Sequence, residues 1–237
     1  MILLSKKNLI KTKTSDTIVI FGTGPSINKI TKDQFEYINN KCDSIAFNWF
    51  FKGGLFTKYY LIREQCVTPK KIFEDQTMDI FIEGMNNIKS IKIISAMRHR
   101  PDNFQWADNH DKINGEGIIL EDVPGKVTSK DLQSDCFTYG VRHYKCTITN
   151  CIHLAISMGY KRILFAGVDL NNSGHYWLPE GKVNLMSASE GRNYNDHHLT
   201  RDKTITIIEL VKNNFNIELY TVNPESELIK IIPEWIL

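Results

Sequence analysis

The chain has 237 residues, enough for one large α/β domain or two small ones. With 42% hydrophobic residues, 24% charged residues and a net charge of +2, it has the make-up of a soluble globular protein. That balance excludes a partner recruited by a strong global field, and no basic-aromatic motif of RNA-binding sheets occurs, so nucleic acid is not an expected partner.

Two further classes fall away. No apolar run reaches the roughly 18 residues needed to span a bilayer. The five cysteines, Cys42, Cys66, Cys136, Cys146 and Cys151, form neither a C-x-x-C pair nor a zinc spacing. No signal-peptide pattern precedes them, which predicts reduced thiols in a cytoplasmic protein. The ends are less neutral than the middle. Lys6, Lys7, Lys11 and Lys13 lie near Ile2, Leu3 and Leu4, and the chain closes on Ile231, Ile232, Trp235, Ile236 and Leu237. A solvated basic arm and a core-packed tail are expected, with peripheral contact to a membrane surface as the alternative.

In chain order, Thr17–Phe21 is a short apolar strand, followed by the turn Gly22-Thr23-Gly24-Pro25-Ser26. Pro25 suits an early position of a following helix. A helix is expected over Thr31–Asn39, strands over Ser44–Phe47 and Lys58–Ile62, a mostly helical segment over Pro69–Asn86, and a strand over Ile88–Ser95. Arg98 to Asp135 is long and polar, with Pro101, Gly115, Gly117, Pro124 and Gly125, and is expected to be irregular. Thr149-Asn150 opens a helix carrying Ile152, Leu154, Ala155, Ile156 and Met158 and ended by Gly159. Arg162–Ala166 is a buried strand, and Asn171–Asp202 a second long polar stretch with Gly174, Gly181 and Gly191 as candidate hinges. A helix over Thr204–Asn214, a strand over Asn216–Val222 and a last helix over Glu225–Ile232 complete the chain. Alternating strands and helices imply a mostly parallel sheet covered on both faces, in one Rossmann-like nucleotide-binding domain over 1–237 with a small lid at 171–202. Ligands of such sheets lie at the carboxyl ends of the strands.

The first turn narrows the choice of ligand. A dinucleotide fingerprint needs a third glycine, where Ile27 stands, and an acid after the second strand, where Asn48 stands; no G-K-[ST] follows for a Walker loop. What remains is a Gly-x-Gly turn offering backbone N–H groups and Ser26 at a helix start, together with a neutral Asn48 suited to a base or sugar edge. A tight strand-to-helix turn and a turn asparagine are the ordinary alternatives.

Taken together the motifs are more specific. G-x-G-P-S follows the first strand and F-N-W-F the second, and then come "TITNCIHLAISMGYKRILFAGVDLNNSGHYW", "NDHHLTRD" and "IELYTVNPESEL". This order resembles glycosyltransferase family 42, the bacterial lipooligosaccharide sialyltransferases, from Ile18 to about Leu228, least closely across 64–140. The resemblance implies a single nucleotide-binding α/β domain of GT-A type with a small lid. It also implies inverting, metal-independent transfer of sialic acid from CMP-sialic acid. By resemblance, Gly22, Gly24 and Ser26 lie beside the CMP, and Asn48 holds the nucleotide. Thr147 takes the place of a serine near the CMP, and Gly167 and Asp169 lie near base and ribose. Tyr176 matches a tyrosine that hydrogen-bonds the leaving phosphate, and His198 or His197 matches the general base.

Several positions depart from the pattern. Thr23 replaces an asparagine in the first turn, and Arg63 replaces one at the end of the third strand. An arginine before the serine falls near Tyr144, with Arg142 close, and the second lid tyrosine falls near Asn171. Arg63 suits a donor carboxylate or phosphate held in bidentate fashion, or a salt bridge with Glu64, Asp43 or another surface acid.

The chemistry asks for a base near neutral pH, donors to the growing charge on the phosphate, and exclusion of water. The stretch 171–202 holds His175, Tyr176, Trp177, Tyr194, His197 and His198. The expected partners are a CMP-sugar donor and a saccharide or glycolipid acceptor, with homo-oligomers and peripheral membrane contact as further expectations. No cofactor beyond the donor and no metal site is expected, since Asp196 and Asp202 lack ligand spacing around the histidines. His153, inside an apolar helix, is expected to be a core or hydrogen-bonded histidine. Two other classes fit part of the pattern. One is a Mg-ATP-dependent pyrophosphokinase of the hydroxymethylpterin type, whose turn is similar; the other is a non-catalytic nucleotide-binding module.

Overall fold

The computed structural model describes residues 1–63, 78–96, 110–144, 146–171, 175–176 and 195–236, with backbone alone at 78 and 195–199. Its strands are β1 (Ile2–Leu3), β2 (Thr17–Phe21), β3 (Asp43–Phe47), β4 (Tyr59–Arg63), β5 (Ile91–Ala96), β6 (Glu116–Pro124), β7 (Val141–His143), β8 (Arg162–Ala166) and β9 (Glu218–Thr221). Its α-helices are α1 (Lys6–Lys11), α2 (Lys32–Lys41), α3 (Met78–Asn87), α4 (Ser129–Gln133), α5 (Cys136–Tyr139), α6 (Thr147–Ser157) and α7 (Asn195–Asn214). The strands form one open sheet in the order β1-β6-β5-β4-β3-β2-β8-β9, with β7 on β6, and every pairing is parallel. This is the expected α/β architecture.

The apolar runs become strands because both faces are covered. Ile18, Ile20, Ile45, Leu61, Ile93 and Leu120 pack under α6 and α7, while Val19, Ala46, Tyr60, Ile62 and Ile94 pack under α2 and α3. Strands buried on both faces lose the in-out alternation of an exposed sheet and read as continuous apolar segments. Helix α2 starts on a capping box made by Thr31 and Gln34. Helix α6 ends where Gly159 turns left-handed at φ 74°, a conformation that costs glycine nothing.

Several expectations need correction. The described part of the stretch expected to be irregular, 110–135, contains β6 and α4. Strand β6 was hidden because it carries Glu116, Glu121 and Asp122 and lies close to the sheet edge, where its outer side is closed by two short strands. Strand β1 pairs at its start (Ile2↔Glu116) and β7 at its end (Asp122↔Val141). The basic arm is therefore not a loose solvated segment: β1 extends the sheet, Leu9 of α1 is fully buried, and Lys6 bonds Asp135 at 2.7 Å. The helix after the first turn is a five-residue 3-10 turn, Pro25–Lys29, and the last helix is a 3-10 turn, Glu227–Lys230.

Helix α7 begins at Asn195 and not at Thr204, so His197 and His198 lie inside it and not before it. Of the segment 69–86, the part 69–77 lies outside the described residues and the rest is α3. The C-terminal tail packs as expected: the Trp235 N–H bonds Thr221 O at 2.8 Å and its ring lies 5.0 Å from Tyr37. Among the described residues, Cys42, Cys136, Cys146 and Cys151 are all free, and burial pushes the Cys42 and Cys136 thiols up to about 11 and about 12. No helix among the described residues is long and apolar enough to cross a membrane.

Candidate functional site

The sheet order places a topological switch at β2, since β3 to β6 spread to one side of it and β8 and β9 to the other. In open α/β sheets the ligand crevice lies outside the carboxyl ends of the strands at such a point. At that position here lie the Gly22–Ser26 turn after β2 and the Gly167–Leu170 turn after β8. The two turns are bonded to each other. The Gly22 N–H donates to Ala166 O and the Gly24 N–H to Gly167 O, both at 2.8 Å, and the Ser26 N–H donates to Asp169 Oδ2 at 3.0 Å. The Ser26 hydroxyl donates to the other Asp169 oxygen, and both side chains are buried. A side chain at Gly22 would overlap the Gly167 carbonyl, and one at Gly24 the Asp169 carboxylate, so the two glycines permit this approach.

The expectation that this turn offers its amides to a phosphate is therefore corrected. The Gly22, Gly24 and Ser26 N–H groups are committed to the neighbouring turn, and the short Pro25–Lys29 element is no α-helix terminus. Asn223, buried after β9, locks the arrangement. Its Oδ1 accepts from the Gly167 N–H and its Nδ2 donates to Ser26 O, each at 2.9 Å. The only sequence signal for it was the Asn-Pro pair after a strand.

Tyr176 is brought to the same turns. Its N–H donates to Thr23 O at 2.9 Å, and its carbonyl accepts from Asn28 Nδ2 at 3.0 Å. His175 Nδ1 lies 3.0 Å from Thr23 Oγ1. The Tyr176 ring packs on Phe50 at 5.2 Å, and its hydroxyl donates to Phe50 O at 2.6 Å, so burial pushes the phenol up. Phe50 belongs to the 3-10 turn Asn48–Gly53 after β3, so Tyr176 joins the ends of β2 and β3. Asn48 opens that turn in the left-handed region at φ 54°, and its Oδ1 accepts from the Arg63 N–H at 3.3 Å. Leu170 is left-handed too, at φ 60°. Non-glycine residues held there cost of order 1–3 kcal/mol and gather at functional sites; asparagine tolerates the region better than leucine.

Arg63 extends the rim. It is buried, and its Nε donates to Asp122 Oδ2 at 2.8 Å. That partner differs from those expected: Asp43 bonds Lys58 instead, and Glu64 lies outside the described residues. The Ser95 hydroxyl reaches the same Asp122 oxygen at 3.2 Å. Arg63 also acts on the buried Cys146 thiol, whose pKa is raised by burial and pulled back by hydrogen bonds and by that guanidinium. Thr147 follows as the first residue of α6. Ser95 stands where the polar residue closing its strand was expected; Asp122 carries no motif that the sequence would show, and its place follows from the fold.

His197 and His198 are placed by backbone, in the opening turns of α7. Further along that helix, Arg201 Nε donates to Glu227 Oε2 at 2.6 Å, and the Glu227 N–H donates to Asp169 O at 3.3 Å. Thr204 Oγ1 lies 3.2 Å from Cys146 Sγ. The helix thus spans from the Asp169 turn to the start of α6, with the two histidines roughly 10 Å along its axis from Thr204 at 1.5 Å per residue. His153 is a buried, hydrogen-bonded helix histidine as expected: Nδ1 accepts from the Arg142 N–H at 2.9 Å, and Nε2 lies 2.8 Å from Ser134 O. Among the described residues no group of three or more His, Cys, Asp or Glu is arranged to hold a metal ion.

No family model and no curated protein matches the sequence. Solved structures do match. Monofunctional alpha-2,3-sialyltransferase Cst-I from Campylobacter jejuni superposes with a TM-score of 0.56 at 16% identity, over 100% of this chain and 83% of that one. The sialyltransferase CST-II in complex with a trisaccharide acceptor and CMP gives 0.53 at 19%, over 92% and 85%. An apo alpha-2,3-sialyltransferase from Campylobacter jejuni gives 0.52 at 16%, over 100% and 83%. The fold is shared with these sialyltransferases.

Proposed function

We propose that this protein is a glycosyltransferase that moves a sialic acid or related nonulosonate from a CMP-activated donor to a saccharide or glycolipid hydroxyl, with inversion and without a metal. The observation that carries the reading is the convergence of the strand-end turns at the switch point. The turns after β2 and β8 interlock there, and the ends of β3 and β4 are tied to them through Tyr176, Phe50 and Asn48. The shared fold supports it, since one neighbour was solved with CMP and a trisaccharide acceptor.

In this reading Gly22, Thr23, Gly24 and Ser26 form the floor under the nucleotide, and Gly167 and Asp169 the opposite wall. Asn48 offers its amide to the cytidine, and Thr147 lies at the uncapped start of α6. Tyr176 closes the crevice and exchanges its hydrogen bond from Phe50 O to the phosphate as charge grows on the leaving group. His198 or His197 takes the acceptor proton, for which an imidazole with an ordinary pKa near 6.5 is suited at neutral pH. Electron flow then balances without an added reductant: the acceptor oxygen bonds the anomeric carbon as the bond to the CMP oxygen breaks. The protein works at the cytoplasmic side, in peripheral contact with the membrane where its acceptor is a glycolipid.

Thermal shift with CMP, CDP, ATP and NAD, each with and without magnesium, tests the reading. Metal-independent stabilisation by CMP or CDP alone is expected, and magnesium-dependent stabilisation by ATP would overturn it. Alanine at His198 or at His197 should lower donor hydrolysis and transfer by about 100-fold or more. Wild-type rates in both variants would remove the base assignment.

A further inference from the structure

Side-chain alternation sets four polar residues in a staggered row on one face of the sheet. Arg63, Ser95, Asp122 and His143 each stand two positions beyond an apolar residue, respectively Leu61, Ile93, Leu120 and Val141, and those four all belong to the core under α6. Because side chains alternate with a period of two, the polar four lie on that same face, at the carboxyl ends of β4, β5, β6 and β7. Arg63 pairs directly with Ser95 across the sheet; Ser95 in turn pairs with Leu120, so Asp122 lies two positions further along, and His143, opposite Pro124, two further still.

The hydrogen bonding of this row is incomplete. Arg63 and Ser95 both bond Asp122 Oδ2, while Asp122 Oδ1 is buried without a partner. A buried carboxylate oxygen left unpaired costs about 1–3 kcal/mol or more. On the first turns of α6, Thr149 Oγ1 and Asn150 Nδ2 are also buried without partners. The Asn150 Oδ1 is bonded to His143 Nδ1 at 3.0 Å, which links that amide to the row. Unmet acceptor and donor groups under one helix start call for a ligand that both gives and takes hydrogen bonds. The carboxylate disfavours a phosphate, and the unmet polar atoms disfavour an apolar group.

We infer that Asp122 is a specificity-determining residue of a sugar subsite, where its Oδ1 accepts a hydrogen bond from a hydroxyl of the transferred sugar. Arg63 and Ser95 hold the other oxygen and fix the direction of the free one. The assignment rests on the glycosyltransferase reading, for which it names the group that selects the sugar.

The test is binding of free N-acetylneuraminate, and of analogues each lacking one hydroxyl, to the full chain by NMR saturation transfer, with CMP titrated in parallel. One deoxy analogue should bind about tenfold more weakly to the wild type than the parent sugar, the loss of a single charge-assisted hydrogen bond. Asp122→Asn should weaken the parent by a similar factor, add no further loss for that analogue, and leave CMP affinity unchanged. Equal binding of every analogue by the wild type, or no sugar binding at all, overturns the inference whether or not the variant folds. So does equal binding of the parent by both proteins, which makes Asp122 a structural carboxylate met by ordered water. Selective sugar binding without CMP binding sinks the nucleotide-sugar reading and leaves the subsite standing; CMP binding without sugar selectivity does the reverse.

Discussion

At the amino ends of the strands, Asp43 accepts from the Thr14 N–H at 2.9 Å, the Thr14 hydroxyl at 2.6 Å, Lys58 Nζ at 2.6 Å and the Tyr160 hydroxyl at 2.7 Å. At the carboxyl ends, Asp122 accepts two bonds on one oxygen and none on the other. Both carboxylates are buried beside a cation in the same sheet. The first is saturated and the second is not. Backbone strain follows the same division, since both non-glycine residues with positive φ among the described ones, Asn48 and Leu170, follow strands at the carboxyl ends. A saturated buried network rigidifies and stabilises, whereas unmet groups and strain persist where function requires them. The amino edge thus serves the fold, and the carboxyl edge carries the unmet groups and strain on which the proposed site rests.

The largest blow to this contrast would come from Asp43. Asp43→Ala should cost about 3 kcal/mol by stranding Tyr160, Thr14 and Lys58. For a chain of this size that is a fall of roughly 10 °C in Tm, with donor hydrolysis per folded molecule unchanged. A urea melt beside a rate measurement checks both halves; lost activity in folded protein would mean the amino edge is not purely structural. Burial raises the Asp43 pKa, but the bonds from Lys58, Thr14 and Tyr160 outweigh it and hold the carboxyl below its usual range. Its contribution should therefore be complete above about pH 4 and disappear as pH falls through the lowered folded value.

Next in size is Asn223→Ala, which strands the Gly167 N–H and the Ser26 carbonyl and should cost about 2 kcal/mol. Because Asn223 joins the two turns of the crevice, CMP should also bind more weakly, measured by titration calorimetry. Stability loss with intact CMP affinity would separate the turns from the nucleotide. Asn48→Gly is expected to go the other way for stability, with a gain of up to about 1 kcal/mol from relief of the left-handed strain. CMP affinity should nevertheless fall, since the amide is gone; unchanged affinity would show that the nucleotide is docked in the wrong place.

The smallest effect concerns His153. Burial lowers its pKa, outweighing the bond to Ser134 that raises it. The folded state then binds fewer protons than the unfolded state, so stability should decline as pH drops below the unfolded value near 6.5. In His153→Gln, thermal melts between about pH 5 and pH 8 should show a flatter slope over that window; an unchanged slope would assign the loss to other groups.

What could be read from the residues depended on burial and on local chemistry. Strands β2, β3, β4, β5 and β8 were legible because residues covered on both faces must be apolar in an unbroken run. The same reasoning found α6, whose apolar residues are ended by Gly159, and the Gly22–Ser26 turn. It missed β6 and β1. A strand carrying acids near an edge has no distinctive local pattern, and a two-residue strand exists only through its partner.

The sequence by itself determined the alternation of strands and helices, the tight turn after β2 and the solvent-averse core, since each follows from the preferences of neighbouring residues. Only the tertiary structure decided that Ser26 would bond Asp169, that Arg63 would meet Asp122 and that one oxygen of Asp122 would be left over. Those contacts join residues 143 and 59 positions apart, and such pairings are set by sheet order and register, which no short stretch of chain encodes.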